Sequence, residues 1–483
     1  MAGKIEDFFR NFFKAVAKSK LAVVGFIITF VIFPVLLVSI FLDMQGVIKN
    51  PYFGFLIYMV MGPLFGLGLI FVGAGMLFSR DGEDIGLFTI EYIKEQLEMP
   101  GRFSRVRKLI YLASFLTFFT ILVVGMISYT GFHYTESTSF CGMFCHNVME
   151  PEYVAYQNSP HSRVPCVDCH IGEDAELFTK AKISGFRQLF AAVFDTYERP
   201  IDTPIGALRP SRNVCEECHR PEMFHGDKLY VKNYYRPDLN NTKVMTVMLM
   251  KVGTGGYKGQ TAHDIHWHVS PDHKIFYTYI DEDRKDIIQV RLISPDGSEE
   301  IFARKGYKWI EEGKGKQRVM DCMDCHNRPT HVFLPAGEAV DQYMENGAIS
   351  TSIPFIKREA LKVVKKEYQN KKQAQVAINR HIFDWYTEKY PELVKTRRKL
   401  FEDAVEGIYQ AYADNVFPQM NISWNTYENF IGHDSGSGCF RCHNKEMVTP
   451  DGRSISTECI TCHVILAERE KDPNVLKTLK GGK

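Results

Sequence analysis

All twelve cysteines of this 483-residue chain fall after residue 140, and they come in pairs: Cys141/Cys145, Cys166/Cys169, Cys215/Cys218, Cys322/Cys325, Cys439/Cys442 and Cys459/Cys462. The residue after each second cysteine is histidine: His146, His170, His219, His326, His443 and His463. Histidine makes up only 16 of the 483 residues, so six such placements do not arise by chance. Five of the pairs read C-x-x-C-H, the pattern that attaches a c-type haem. In that pattern the two thiols bond to the haem vinyl groups, and the next imidazole falls under the iron. Zinc ribbons also pair C-x-x-C but need no histidine after each pair. Disulfides would leave the histidines without a purpose, and thioredoxin-like redox pairs occur singly in a strand–helix unit. The first pair reads C-G-M-F-C-H, one residue wider, and is expected to carry a haem as well. The expectation is six covalently bound c-type haems.

Each iron has a second axial position, and ten histidines lie outside the motifs. His161, His225, His331 and His433 stand within 5–10 residues of a motif, beside turn residues, and are the favoured ligands. The cluster H-D-I-H-W-H offers His263, His266 and His268, from which one ligand is expected, His266 or His268. His133 and His381 read as structural. Met149, three residues past His146, offers a thioether to haem 1, with a packing methionine as the alternative. Two imidazoles give a low-potential carrier, a thioether raises the potential, and a missing ligand leaves room for substrate.

The N-terminal part has a different character. Leu21 to Leu42, Pro51 to Phe78 and Leu109 to Thr135 are uncharged runs of 22, 28 and 27 residues. At about 1.5 Å of rise per residue each can cross the roughly 30 Å hydrocarbon layer. No small-residue cleavage pattern follows the first run, which argues against a signal peptide. Basic residues number five before the first run (Lys4, Arg10, Lys14, Lys18, Lys20), one in the next loop (Lys49) and six before the third run (Arg80, Lys94, Arg102, Arg105, Arg107, Lys108). The positive-inside rule then puts the N-terminus in the cytoplasm and everything after the third span outside it. Gly66, Gly68, Gly73 and Gly75 favour close helix–helix contact, within the anchor or with a membrane subunit or second copy. Pro34 and Pro63 are expected to kink their helices.

With Lys+Arg 58 against Asp+Glu 57, the net charge of +1 gives no steering towards nucleic acid. Past residue 230, strand-like runs such as H-K-I-F-Y-T-Y-I and D-I-I-Q-V-R-L-I, with a P-D-G turn, predict a small antiparallel β insert. From Ile356 to Phe417 the pattern is helical, with an amphipathic run from Glu392 to Tyr412. Four segments result: a three-helix anchor over 1–135, a haem module with haems 1–3 over 136–236, a β insert over 237–320, and a helical haem module with haems 4–6 over 321–483. From Glu176 to Phe194 a helix mixes apolar residues with Lys180, Lys182 and Arg187. Such a helix can lie in the membrane interface. Quinol oxidation there needs a proton acceptor at the quinol oxygens, and a desolvated lysine can serve, though Lys182 can equally bind phospholipid headgroups.

The third span followed by F-C-G-M-F-C-H-N-V-M-E-P, and then Y-Q-N-S-P-H-S-R-V-P-C-V-D-C-H-I, resembles the NapC/NirT/NrfH family of membrane-anchored multihaem quinol dehydrogenases. The likeness covers roughly residues 105–230, and the chain as a whole looks like the three-span inner-membrane cytochromes of metal-reducing bacteria. The resemblance implies oxidation of quinol, menaquinol or ubiquinol, at the outer membrane surface, with electrons passed to periplasmic cytochromes or a terminal reductase in anaerobic respiration. It carries the family's first-haem methionine onto Met149, one residue further from its motif than usual. It places the family's quinol-site lysine at Lys182, and Gln188 stands where relatives have a nearby carboxylate. The expected fold class is a membrane-anchored, mainly α multihaem cytochrome c: three transmembrane helices and a periplasmic haem domain with the β insert. Two other functions stay open. One is an electron-relay subunit whose quinol site lies in another chain. The other is a multihaem reductase of a small nitrogen or sulfur oxyanion, which needs one iron without a sixth ligand.

Overall fold

The computed structural model describes residues 10, 12–44, 56–77, 103–144, 146–171, 175–203, 211–220, 223, 226–256, 261–306, 315–433 and 437–479. The side chains of a few helical positions, among them His146 and Lys182, lie outside the description. The chain divides into two units, Met1–His146 and Asn147–Lys483.

The first unit is built from α1 (Lys20–Met44), α2 (Gly62–Leu77) and α3 (Phe103–Thr135). Among the described residues two stretches are long and apolar enough to cross a membrane, Lys20–Leu42 and Ser114–Thr135. The apolar Gly62–Met76 is shorter, but a π-helical turn, Leu56–Met61, runs directly into it. Residues 51–55, part of the expected second span, lie outside the described residues, as do Lys4, Lys49, Arg80, Lys94 and Arg102. Pro63 falls where the π turn gives way to α2, and Pro34 lies inside α1.

Glycines set how closely α1 and α2 approach. A Cβ on Gly25 would lie 2.6 Å from both the Gly68 carbonyl oxygen and Phe71 Cβ; one on Gly75 would lie 2.4 Å from the Ala22 nitrogen. Without a Cβ the two backbones pack directly, as small residues allow in lipid. Gly66 and Gly73 face open space instead, so the four glycines divide between two faces. Leu36, Ile57, Phe65 and Ile127 form the buried centre of the unit. Outside it Phe30, Ile70, Phe118 and Ile121 are more than three-fifths exposed, an apolar exterior suited to hydrocarbon rather than water.

The second unit begins with α4 (His146–Gln157, its first residue shared with the boundary), α5 (Cys166–His170), α6 (Ala175–Val193) and α7 (Ser211–Cys215). There follow β1 (Lys228–Tyr235), β2 (Lys243–Met250), β3 (Lys274–Tyr279), β4 (Ile287–Ile293), β5 (Glu299–Arg304) and β6 (Lys316–Val319). Next comes a bundle of α8 (Ala336–Glu345), α9 (Ile356–Val364), α10 (Lys371–Lys389), α11 (Pro391–Thr396) and α12 (Arg398–Ala413). β7 (Met447–Val448), β8 (His463–Glu470) and α13 (Asn474–Leu479) close the chain.

The strands form two antiparallel sheets, in the orders β1-β2-β8 and β6-β3-β4-β5-β7. They reach beyond the expected insert on both sides: β1 starts at Lys228, and β7 and β8 come from the segment carrying the last two motifs. Each sheet is therefore finished by residues adjoining a cysteine pair. In α12, Phe401, Ala404, Val405, Ile408, Ala411 and Tyr412 are buried, the i, i+3, i+4, i+7 spacing of a helix with one face in the core. The amphipathic run is not one helix, because it breaks at Arg397. Gly407 is required where α12 meets the loop before α9: a Cβ there would lie 2.9 Å from the Ala348 carbonyl oxygen.

Candidate haem and electron-transfer sites

The third, fourth and fifth motifs each close a single tight turn. The backbone N–H of His219 donates to Cys215 O at 2.7 Å, that of His326 to Cys322 O at 2.8 Å and that of His443 to Cys439 O at 2.9 Å. One helical turn brings residues three and four apart onto one side, so both sulfurs and the imidazole face the same way. Among the described residues no cysteine forms a disulfide. Nor do three or more His, Cys, Asp or Glu side chains gather where they could hold a metal ion directly.

The two cysteines of the third pair differ in exposure. Cys218 is exposed where its partner Cys215 is half-buried. It lies past the end of α7, held to the turn by its N–H, which donates to Cys215 O at 3.3 Å. Cys169 is half-buried within α5 and bears on the third motif as well as its own. The Cys215 thiol is pushed up by its hydrogen bond to Cys322, then by burial, and further by the nearby sulfurs of Cys322 and Cys169. Cys169 and Cys218 are expected as attachment points of haems 2 and 3 from their place in the motifs.

The histidines meet in twos. The ring centroids of His170 and His331 are 6.2 Å apart, those of His161 and His219 5.9 Å, those of His268 and His443 5.7 Å, and those of His433 and His463 6.1 Å. A metal–imidazole bond is about 2 Å, and the ring centre lies about 1 Å beyond its nitrogen. Two imidazoles on opposite sides of one iron therefore put their centroids about 6 Å apart. His326 is also next to His266: burial first, then the neighbouring His266 and His219, push its imidazole below the usual histidine range. Every pair joins one motif histidine to one from outside the motifs.

Hydrogen bonds fix the tautomer of four of these histidines. Nδ1 of His331 lies 2.9 Å from Glu152 O, that of His268 2.8 Å from Ile265 O, that of His443 2.8 Å from Ser456 O and that of His161 3.2 Å from Pro329 O. A carbonyl only accepts, so Nδ1 carries the proton and Nε2 keeps its lone pair for a metal. Burial holds His331 down at about 4 and also depresses His170 and His268, which keeps these rings neutral. Four pairs thus have the spacing, and His161, His268, His331 and His443 the tautomer, that axial ligation of haem would require.

The remaining histidines are occupied otherwise. His381 Nε2 lies 3.1 Å from the buried Glu359 carboxylate, and His273 stacks on Trp267 with centroids 4.1 Å apart. His263 pairs with Asp264, and His133 packs edge-on against Tyr129. Within the H-D-I-H-W-H cluster His268 faces His443, and His266 is a neighbour of His326. His225 and Cys145 lie outside the described residues, as does the side chain of His146. Cys141 lies in the turn Phe140–Phe144, and Met149 is half-buried on α4. Lys182 lies on α6. Gln188, exposed on the same helix, donates from Nε2 to Ser184 Oγ at 3.3 Å. The helix presents Ile183, Phe190 and Val193 uncovered by protein.

Two charged clusters beside the motifs were not anticipated. Asp324, between the cysteines of the fourth motif, is 2% exposed. It accepts from Tyr277 Oη at 2.5 Å and lies 3.4 Å from Arg318. The backbone carbonyl of Asp324 accepts from Arg441, the residue between the cysteines of the fifth motif. Glu152 lies against His331 and 3.6 Å from the buried Arg328 guanidinium, which stands over the Tyr427 ring at 3.8 Å. A charge inside a cysteine pair is the one signal in the sequence that could have drawn attention to Asp324 and Arg441.

A family model described as the NapC/NirT cytochrome c family, N-terminal region, matches residues 104–203. The "Cytochrome c-type protein ImcH" of Geobacter sulfurreducens is 37% identical over 455 residues, covering 93% of this chain and 88% of the relative. The chain belongs to the NapC/NirT cytochrome c family. It is a membrane-anchored multihaem cytochrome c of electron transfer, with covalently bound haem. No solved structure matches the chain.

Proposed function

We propose that this cytochrome oxidises quinol, menaquinol in the first instance, at the outer face of the cytoplasmic membrane and passes the electrons through six haems to periplasmic acceptors in anaerobic respiration. The observation that carries the reading is the pairing of four motif histidines with four others at iron-spanning distance, with His266 beside a fifth, His326. His331 joins His170 on haem 2, His161 joins His219 on haem 3, and His266 joins His326 on haem 4. His268 joins His443 on haem 5, and His433 joins His463 on haem 6. Haem 1 is left to His146 and Met149. Imidazole on both sides closes an iron to substrate and suits it to carrying electrons, which disfavours a reductase at these five sites.

Haem iron supplies the redox step by gaining or losing one electron at a time. The protein supplies the rest. The uncovered apolar residues of α6, next to Arg187, suit a helix lying in the headgroup region, where a quinol from the lipid can reach it. Quinol becomes quinone by losing two electrons and two protons. The two electrons would leave one at a time through the haems, and Lys182, in its neutral form, would take each proton in turn from the quinol oxygens and hand it to water. Gln188, uncharged, orients rather than accepts.

Anaerobic mixing of purified protein with menaquinol and ubiquinol analogues tests this. Haem reduction by the menaquinol analogue is expected, with Lys182→Ala slowing it by about 10²-fold or more and leaving dithionite reduction intact. Haem that dithionite reduces but neither quinol touches would move the quinol site to another chain and make this protein a relay subunit.

A further inference from the structure

We infer that the segment Cys322–His331 is the junction of the electron route: it holds haem 4 beside haems 2, 3 and 5, so electrons reach haem 4 from haem 2 directly as well as through haem 3. The inference rests on the haem assignments above and adds the order in which the sites are connected.

Four observations carry it. His331 lies five residues past His326 yet faces His170, so one short segment holds a ligand of haem 4 and a ligand of haem 2. Ser159 Oγ and Thr330 Oγ1 are 2.8 Å apart, and His161 Nδ1 donates to Pro329 O, which binds the approach to the second motif onto the same segment. The Cys215 sulfur of the third motif lies beside the Cys322 sulfur of the fourth. Those sulfurs are the points of attachment, so the edges of haems 3 and 4 meet there. Towards the C-terminus, His266 and His268 sit on one turn, Ile265–Val269, and face the fourth and fifth motifs respectively. Arg441 of the fifth motif also donates to the Asp324 carbonyl of the fourth. Haem 6 hangs from haem 5 through His433, six residues before Cys439.

Electron tunnelling weakens exponentially with the gap, so these contacts define the route. Each transfer changes one iron from ferrous to ferric and its neighbour from ferric to ferrous, and breaks no bond. Haem 3 stands beside a direct path from haem 2 to haem 4. Haem 4 stands between the first group and haems 5 and 6.

The test uses the full chain and no quinol. A ruthenium photoreductant tethered at Gln188→Cys, on the helix after the second motif, delivers electrons under steady illumination with a sacrificial donor; failure of the quinol reading leaves this measurement intact. Cys215→Ala/Cys218→Ala removes haem 3 and Cys322→Ala/Cys325→Ala removes haem 4, each checked by mass. Without haem 3, all five remaining haems should fill at the rate seen with all six. Without haem 4, three of five should fill rapidly and haems 5 and 6 should lag at least about tenfold, a barrier increment of roughly 1.4 kcal/mol. His266→Met keeps haem 4 while raising its potential, and should produce the same lag if removal of haem 4 prevents folding. Stranding of haems 5 and 6 by the loss of haem 3, or their unchanged filling without haem 4 or in His266→Met, overturns the inference.

Discussion

Asp324 and Glu359 show what a buried carboxylate does at two distances from the haem sites. Asp324 ties the fourth motif to β3 through Tyr277 and to Arg318 on β6, so the loop that presents Cys322 and Cys325 is clamped to a sheet. Breaking a buried ionic cluster from one side typically costs about 3–5 kcal/mol. Asp324→Ala should therefore lower chemical stability by about 3 kcal/mol and loosen haem 4 before the others, seen as early loss of one low-spin signal in electron paramagnetic resonance. Glu359 is fully buried between α9 and α10 and accepts from Arg358 at 2.8 Å, Lys362 at 2.9 Å and His381 at 3.1 Å. Burial alone would push its carboxyl up, but the hydrogen bonds from Lys362, Arg358 and His381 outweigh burial and hold it below the usual range. A carboxyl depressed by folding stabilises the fold above its unfolded value, ordinarily 4.5, and that stabilisation is lost as pH falls. Glu359→Gln should cost about 2 kcal/mol at neutral pH and flatten the fall in unfolding midpoint below about pH 4.5.

At the scale of elements, α1 and α2 fit by what their glycines lack. Gly25→Val would drive methyl groups into the Gly68 carbonyl and Phe71, and overpacking of that kind costs about 1–3 kcal/mol. Gly66→Ala meets nothing within 4 Å and should be neutral; thermal unfolding in detergent distinguishes the two. The sequence announced that small residues lined this helix, but not which face each would occupy, since a period of 3.6 residues sorts faces only once a partner helix is placed. The C-terminal elements were legible to different depths. The burial period of α12 could be read directly from Phe401 to Tyr412. The break at Arg397 could not, because no proline or glycine marks it. β7 and β8 escaped notice because a two-residue strand has no periodicity, and β8 alternates too little: only Ala467 along it is buried.

The whole molecule depends on contacts between distant parts of the chain. The cysteine pairs with their following histidines are legible from spacing alone, because one turn of chain can carry both thiols and the imidazole. The unequal exposure of Cys215 and Cys218 could not, because it depends on where α7 ends. The opposite ligands could be narrowed by type but not assigned. His331 stands beside the fourth motif in sequence and faces the second in space, since the residues just after a motif leave along the near side of its own haem. Replacing it reaches across 161 residues: His331→Gly should convert one haem of the N-terminal group from low to high spin, with free imidazole restoring the low-spin signal. The last sheet has a related consequence. β8 begins at His463 itself and pairs with β2, more than two hundred residues earlier. Neighbouring residues of a strand point to opposite faces, so a slip of one position would turn His463 away from His433. On the proposed pairing of these two histidines, closing this strand in register and completing the last haem site are one event.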